Sequence, residues 1–219
     1  MPRTHGRALH GDRAGGFLTG AGRAFSAGVD LRRLLDGGTA YVREFLPALD
    51  ELFTAAFALN VPAVAAVNGH AIAGGAVLAA AANRVLMADG RGRFGAPELK
   101  VGVAFPQSAL EILRHRVGEV ALRRVVVEAE THGPAEAHAL GLVDEVVAPD
   151  ALLDQAVAAA DAFAVGAPAD AFALTKAQLR REGADRIARA DPGEVLEMWC
   201  RRVDDGWTAR YLEQTTGKR

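Results

Sequence analysis

Two short stretches and one acidic residue have the types and spacing that chemistry needs. Gly20-Ala-Gly22-Arg-Ala-Phe-Ser26-Ala-Gly28-Val-Asp30 and Asn68-Gly69-His-Ala-Ile-Ala73-Gly74-Gly75-Ala76 each place glycine where a bend hands the chain to a helical pattern. Such bends leave backbone N–H groups unpaired and facing outward. Two N–H groups aimed at one point form an oxyanion hole, which stabilises negative charge growing on a carbonyl oxygen. Glu98 follows in Phe94-Gly95-Ala96-Pro97-Glu98. Two donors and one carboxylate are the parts needed to pull a proton from the carbon beside a thioester carbonyl.

Each part alone has a plainer reading. The first stretch fails as a dinucleotide fingerprint, because after Gly20 and Gly22 the sixth position is Phe25 rather than Gly or Ala. Around Ser26 it half-resembles a nucleophile elbow, but Ala24 stands where the first glycine belongs and no His–Asp pair supports it. A tight turn is the alternative. Ala73-Gly74-Gly75-Ala76 opens an apolar helix, so free amides face whatever precedes it, and Gly74 admits a carbonyl close to the backbone. Here the alternative is glycines that only let the helix pack on a strand. A lone glutamate is ordinarily a solvated surface residue; the order of the three elements singles out Glu98.

The elements that must position these residues are legible from periodicity. Gly16–Thr19 reads as a strand leading into the first glycine-rich turn. Val42, Phe45, Leu49, Leu52 and Phe53 recur at helical spacing over residues 41–59. Pro62 breaks that pattern, and residues 63–67 read as a buried strand ending at Asn68-Gly69. A buried helix over 74–82 and a strand over 85–87 follow. Residues 108–128 predict two helical segments parted near Gly118, and 134–140 a short helix with a first-turn proline, ended by Gly141 before a strand over 142–147. From Asp150 the pattern is helical only, with Leu153, Ala156, Val157, Ala160 and Ala164 on one face. A last helix opens at Asp191-Pro192-Gly193-Glu194 and carries the stripe Val195, Trp199, Val203, Trp207 and Tyr211, read as core or as a subunit interface. Residues 1–15 show no periodicity, do not read as strands and are expected to be loosely ordered.

Composition narrows the class. Half the residues are hydrophobic and 24% are charged, as in a soluble globular domain. Lys and Arg number 25 against 27 Asp and Glu, a net charge of −2 that gives no bias toward nucleic acid or a membrane surface. The single Cys200 cannot form an internal disulfide, and no apolar run reaches membrane-spanning length, so a cytoplasmic protein is expected. The six histidines show no metal-binding spacing.

Five segments in order resemble the crotonase family, the enoyl-CoA hydratases and isomerases. They are Leu18-Thr-Gly-Ala-Gly-Arg-Ala-Phe-Ser-Ala-Gly-Val-Asp-Leu31, Pro62-Ala-Val-Ala-Ala-Val-Asn-Gly69, Ala73-Gly-Gly75, Phe94-Gly-Ala-Pro-Glu98, and Ala135-Glu136 with Gly141-Leu-Val143. The resemblance implies an α/β fold, a spiral of ββα turns over residues 1–148 with the CoA-thioester site. A helical region over 149–219 would serve trimerisation and cap the pocket. It implies an acyl-CoA thioester substrate, a homotrimer or homohexamer, and no cofactor or metal beyond the coenzyme A of the substrate. By position, the oxyanion amides would belong to Val29 and Gly74, with Glu98 as the catalytic acid–base group. Ser26, Ala27, Gly28 and Gly75 would meet coenzyme A.

The departures sharpen the expectation. Hydratases carry a first catalytic glutamate three residues beyond the oxyanion glycine, where this chain has Val77; Pro106 replaces a glycine of the loop that follows the second glutamate. One glutamate in a drier pocket suits 3-enoyl-CoA isomerases, in which a single carboxyl moves a proton from the α to the γ carbon. A weakened hydratase and a non-catalytic acyl-CoA binder are the alternatives. Family members normally begin with a β-hairpin and a helix before the first glycine-rich turn, so that first turn is expected to be absent here.

Overall fold

The computed structural model of the protein describes residues 3–5 and 15–216. Along the chain run β1 (Arg3–His5), β2 (Gly16–Thr19), β3 (Ala24–Ser26), α1 (Leu31–Ala58), β4 (Ala63–Val67), β5 (His70–Ile72), α2 (Gly74–Ala80) and β6 (Arg84–Ala88). There follow β7 (Phe94–Gly95), α3 (Glu98–Val101), α4 (Gln107–Val127), β8 (Thr131–His132), α5 (Pro134–Ala139), β9 (Glu145–Val147), α6 (Leu152–Gly166), α7 (Ala169–Arg189), α8 (Gly193–Asp204) and α9 (Trp207–Thr216).

Two sheets divide these strands. The larger has the order β1-β2-β4-β6-β9, parallel except for the antiparallel β1; the smaller has the order β3-β5-β7-β8. The pairs β2–β3, β4–β5 and β6–β7 each give one strand to each sheet before a helix, whereas β8 and β9 stand on either side of α5. Strand β4 shows why the apolar run Ala63-Val-Ala-Ala-Val67 is unbroken: both its faces are covered. Ala65 and Val67 pack with Phe53, Phe57 and Ile112 in the main core, while Val64 and Ala66 pack with Leu152, Ala156 and Ala160 of α6. Strand β6 repeats the alternation, Val85 and Met87 toward the main core and Leu86 and Ala88 toward α6.

Several expectations are corrected. Arg3–His5 is a strand, paired with Phe17–Thr19, whereas the sequence showed none there; an edge pairing needs backbone donors, not a hydrophobic pattern. The rest of the expectation of loose order, over 6–14, lies outside the described residues. The first long helix begins at Leu31 rather than residue 41, capped by Asp30, whose carboxylate accepts from the N–H groups of Arg32 and Arg33 at 3.0 and 3.1 Å. Gly38, with φ +61°, breaks it internally, which is why only its second part showed clean periodicity. Leu52 on that helix is half exposed, and on α6 the inward leucine is Leu152 rather than Leu153. The C-terminal stripe spans two helices, parted at Gly206 with φ +72°. The strand expected over 142–147 shortens to β9. The break at Gly118 is found, with φ +70° inside α4.

Candidate active site

The two glycine-rich stretches become neighbours because β3 and β5 pair in parallel, Ala24 with His70 and Ser26 with Ala71. Asn68 clasps the turns that precede them. Its Oδ1 accepts from Gly20 N at 3.0 Å and its Nδ2 donates to the Gly22 carbonyl at 3.0 Å. Close approach then demands glycine at Gly20 and Gly69 in the turns, and at Gly28 and Gly75 beside α2. A Cβ on Gly75 would lie 2.3 Å from the Ser26 carbonyl oxygen. One on Gly28, which has φ +85°, would lie 2.8 Å from the Ile72 carbonyl oxygen and 3.3 Å from Gly74 N. The first stretch therefore lies directly against the start of α2.

At that start Ala73 adopts φ +53°, a left-handed conformation that costs an alanine about 1 kcal/mol or more. It is held by its own N–H donating to the Gly95 carbonyl at 2.8 Å, and its carbonyl accepts from Ala76 and Val77. The bend turns the chain sharply from β5 into α2, with Gly74 as the first helical residue, whose N–H has no intrahelical acceptor.

Glu98 opens α3 directly after Pro97. Its carbonyl accepts from Gly102 N at 3.0 Å and Val103 N at 3.1 Å, so the backbone beneath the carboxyl is fixed. The side chain is 7% exposed, and Oε2 has no hydrogen-bond partner among the described residues. Burial dominates its acidity and pushes it up from 4.5 to about 7, against a small opposing effect of its own backbone N–H. A carboxyl left without a partner in an apolar setting is unusual for a structural residue and ordinary for an acid–base group.

Glu98, Val29, Gly74 and Ala27 line one cleft of ≈ 100 Å³, closed by Phe53, Pro106 and Trp199 among others. Ser26, Gly28 and Gly75 lie outside this lining and shape the crossing behind it. Ser26 Oγ accepts from Gly28 N at 3.3 Å. Val77 is fully buried in the main core and does not line the cleft, whereas Leu31 does.

Sequence reasoning missed two residues of this lining. Trp199 and Tyr211 were read as core or interface, yet both face the cleft. The C-terminal helices clamp the ground beneath Glu98: Trp199 Nε1 donates to the Ala104 carbonyl at 2.9 Å, and Arg202 Nε to the Gly102 carbonyl at 2.8 Å. The signal was present in the four-residue spacing of the stripe, but spacing gives a face and not what that face meets.

Three larger cavities lack an unpaired buried acid, the most open of them, of ≈ 460 Å³, being a surface hollow where Arg43 pairs with Glu197. A second, of ≈ 250 Å³, is lined by His115, Lys176 and Arg180. Its cations serve the fold: Arg180 donates to the carbonyls of Phe57 and Ala81 at the ends of α1 and α2, and Lys176 to the Val61 carbonyl and Asn83 Oδ1. Burial first and Arg180 second push the Lys176 ammonium down to about 8. The third, of ≈ 360 Å³, lies between α1 and α8. Among the described residues no three His, Cys, Asp or Glu side chains gather as a metal site, and no single helix is long and apolar enough to cross a membrane.

Comparison with known proteins accords with this geometry. A family model described as enoyl-CoA hydratase/isomerase matches residues 12–192. A probable enoyl-CoA hydratase of Rhizobium meliloti is 32% identical over 194 residues, 87% of this chain and 71% of that protein. A putative enoyl-CoA hydratase of Thermus thermophilus is 38% identical over 162 residues, 73% of this chain and 63% of that protein. The crystal structure of human mitochondrial delta3-delta2-enoyl-CoA isomerase superimposes with a TM-score of 0.84 at 28% identity, covering 94% of this chain and 81% of that one.

Proposed function

We propose that this chain, which belongs to the enoyl-CoA hydratase/isomerase family, moves the double bond of a 3-enoyl-CoA into conjugation, giving the 2-enoyl-CoA. The reading is carried by Glu98, the one carboxyl of an apolar cleft, unpaired and with its acidity brought near neutrality. In its ionised form Glu98 takes a proton from C2 of the thioester. The electron pair spreads over a dienolate, the oxygen of which the N–H groups of Val29 and Gly74 hold. Donors of this kind are each worth about 2.7–4 kcal/mol in the transition state. Protonated Glu98 then returns the proton at C4, and the double bond settles between C2 and C3. Atoms balance with no cofactor beyond the coenzyme A of the substrate, whose adenine end the Ser26–Gly28 backbone and Gly75 would flank.

An acid with a midpoint near the working pH is suited to both halves of this transfer. The lining gives water few partners, since apart from Glu98 it is almost wholly apolar. The hydratase names of two relatives support a second reading, addition of water to 2-enoyl-CoA. Incubation with 3-enoyl-CoA in heavy water separates them. Isomerisation gives conjugated 2-enoyl-CoA, with deuterium at C4 only to the extent that Glu98 exchanges its proton before returning it, and this product is lost in Glu98→Gln; hydration, tested with 2-enoyl-CoA alongside, gives 3-hydroxyacyl-CoA. Thioester binding without either product, surviving Glu98→Gln, marks a non-catalytic binder. A homotrimer or homohexamer belongs to the same proposal, and light scattering tests it.

A further inference from the structure

Of the side chains lining the cleft only two ionise, Glu98 and Tyr211. Glu98 stands near the middle of the chain and Tyr211 near its C-terminal end, and they meet because α9 lies on α3. At the C-cap of α3, Gly102 has φ +89°, and a Cβ there would lie 2.5 Å from Trp207 Nε1, so the first residue of α9 sits flush on the helix that Glu98 opens. Tyr211 follows Trp207 by four residues, on the same helical face. The neighbouring cations turn elsewhere: Arg202 of α8 bonds the Gly102 carbonyl and Asp205, Arg210 of α9 bonds the Asp205 carbonyl, and Lys100 of α3 is exposed.

The two groups are complementary. Glu98 Oε2 is a buried acceptor without a donor. The Tyr211 phenol is a half-buried donor; burial first, then the charge of Glu98, push its ionisation upward, so it keeps its proton. Trp199, the remaining polar side chain of the lining, already spends its N–H on the Ala104 carbonyl. Catalytic hydrogen bonds are often open in an empty site and close when it fills.

We propose that Tyr211 is a positioning residue for Glu98: its O–H donates to the partnerless carboxylate oxygen, directly or through one water, and leaves the other oxygen to take the substrate's proton. This rests on the acid–base reading of Glu98 given above. The same contact makes the C-terminal helix part of the reaction machinery as well as a cover for the cleft.

Tyr211→Phe keeps the ring and removes only the hydroxyl. The ¹³C-labelled Glu98 carboxyl is titrated by NMR in both proteins with a saturated acyl-CoA filling the cleft, and kcat and KM are measured on 3-enoyl-CoA. Loss of a donor to the ionised form raises the Glu98 midpoint in the variant. The expected kinetic signature is a fall in kcat of about tenfold with KM changed by less than about twofold. A midpoint that does not move overturns the inference whatever the rate does, because a ring that only packs leaves the carboxyl's titration alone. A protein that lacks isomerase activity but shows the moved midpoint removes the proposed reaction and leaves the Tyr211–Glu98 contact standing.

Discussion

Glu98→Gln is expected to stabilise the fold while abolishing turnover, and the stabilisation depends on pH in a way that reports the burial of the carboxyl. In the folded protein the carboxyl loses its proton at about 7, and in the unfolded chain near its ordinary 4.5. Near pH 4.5 the folded group is neutral and the unfolded one half ionised, which costs less than about 0.5 kcal/mol. Between there and about pH 7 the unfolded chain sheds its proton and the folded chain keeps it, so stability falls as pH rises. Above about pH 7 both forms are ionised and the loss levels off at about 3 kcal/mol, each tenfold difference in proton affinity being worth about 1.4 kcal/mol. Glutamine does not titrate, so the variant escapes this loss. Urea unfolding of both proteins at about pH 4.5, 6 and 8 therefore gives a stability gap that widens by about 3 kcal/mol across the series, on top of any constant offset from packing the amide. A gap that stays constant with pH shows that the carboxyl titrates normally in the fold, and the acid–base argument built on its burial fails.

Three further outcomes follow from particular contacts. The kcat/KM for isomerisation falls as pH drops through about 7, because protonated Glu98 cannot accept the C2 proton, and it levels off above that; a rate–pH profile reads this directly. Gly75→Ala forces a methyl to 2.3 Å from the Ser26 carbonyl oxygen, which β3 cannot yield without breaking its pairing with β5, and thermal unfolding registers a loss of about 3 kcal/mol or more. Asp30→Ala leaves the N–H groups of Arg32 and Arg33 uncapped and costs about 1 kcal/mol in urea unfolding, with the core contacts of α1 unchanged.

The parts of the fold that were legible in the sequence are those governed by local rules. The unbroken apolar run of β4, the glycine break in α4 and the proline-opened α5 each follow from what neighbouring residues allow. The strands of the smaller sheet were not legible, because β3, β5, β7 and β8 are two or three residues long and too short for any period to show. Their existence depends on a partner strand distant in the chain. The same distinction runs through the site. Glu98, Val29 and Gly74 were singled out by motif order, and they do line one cleft. Val77 was expected to mark the dry side of that pocket, yet it lies in the core, since one helical position decides whether a side chain of α2 faces the cleft or the main core. Tyr211 could not be placed from its stripe, because the turn at Gly206 redirects the second half of that stripe onto α3.

The decisive observation is the structure with a saturated acyl-CoA bound. The mechanism requires the thioester oxygen to sit about 2.7–3.1 Å from both Val29 N and Gly74 N, with a Glu98 carboxyl oxygen over C2. A thioester oxygen that meets only one of these amides, or a C2 turned away from Glu98, rules the mechanism out.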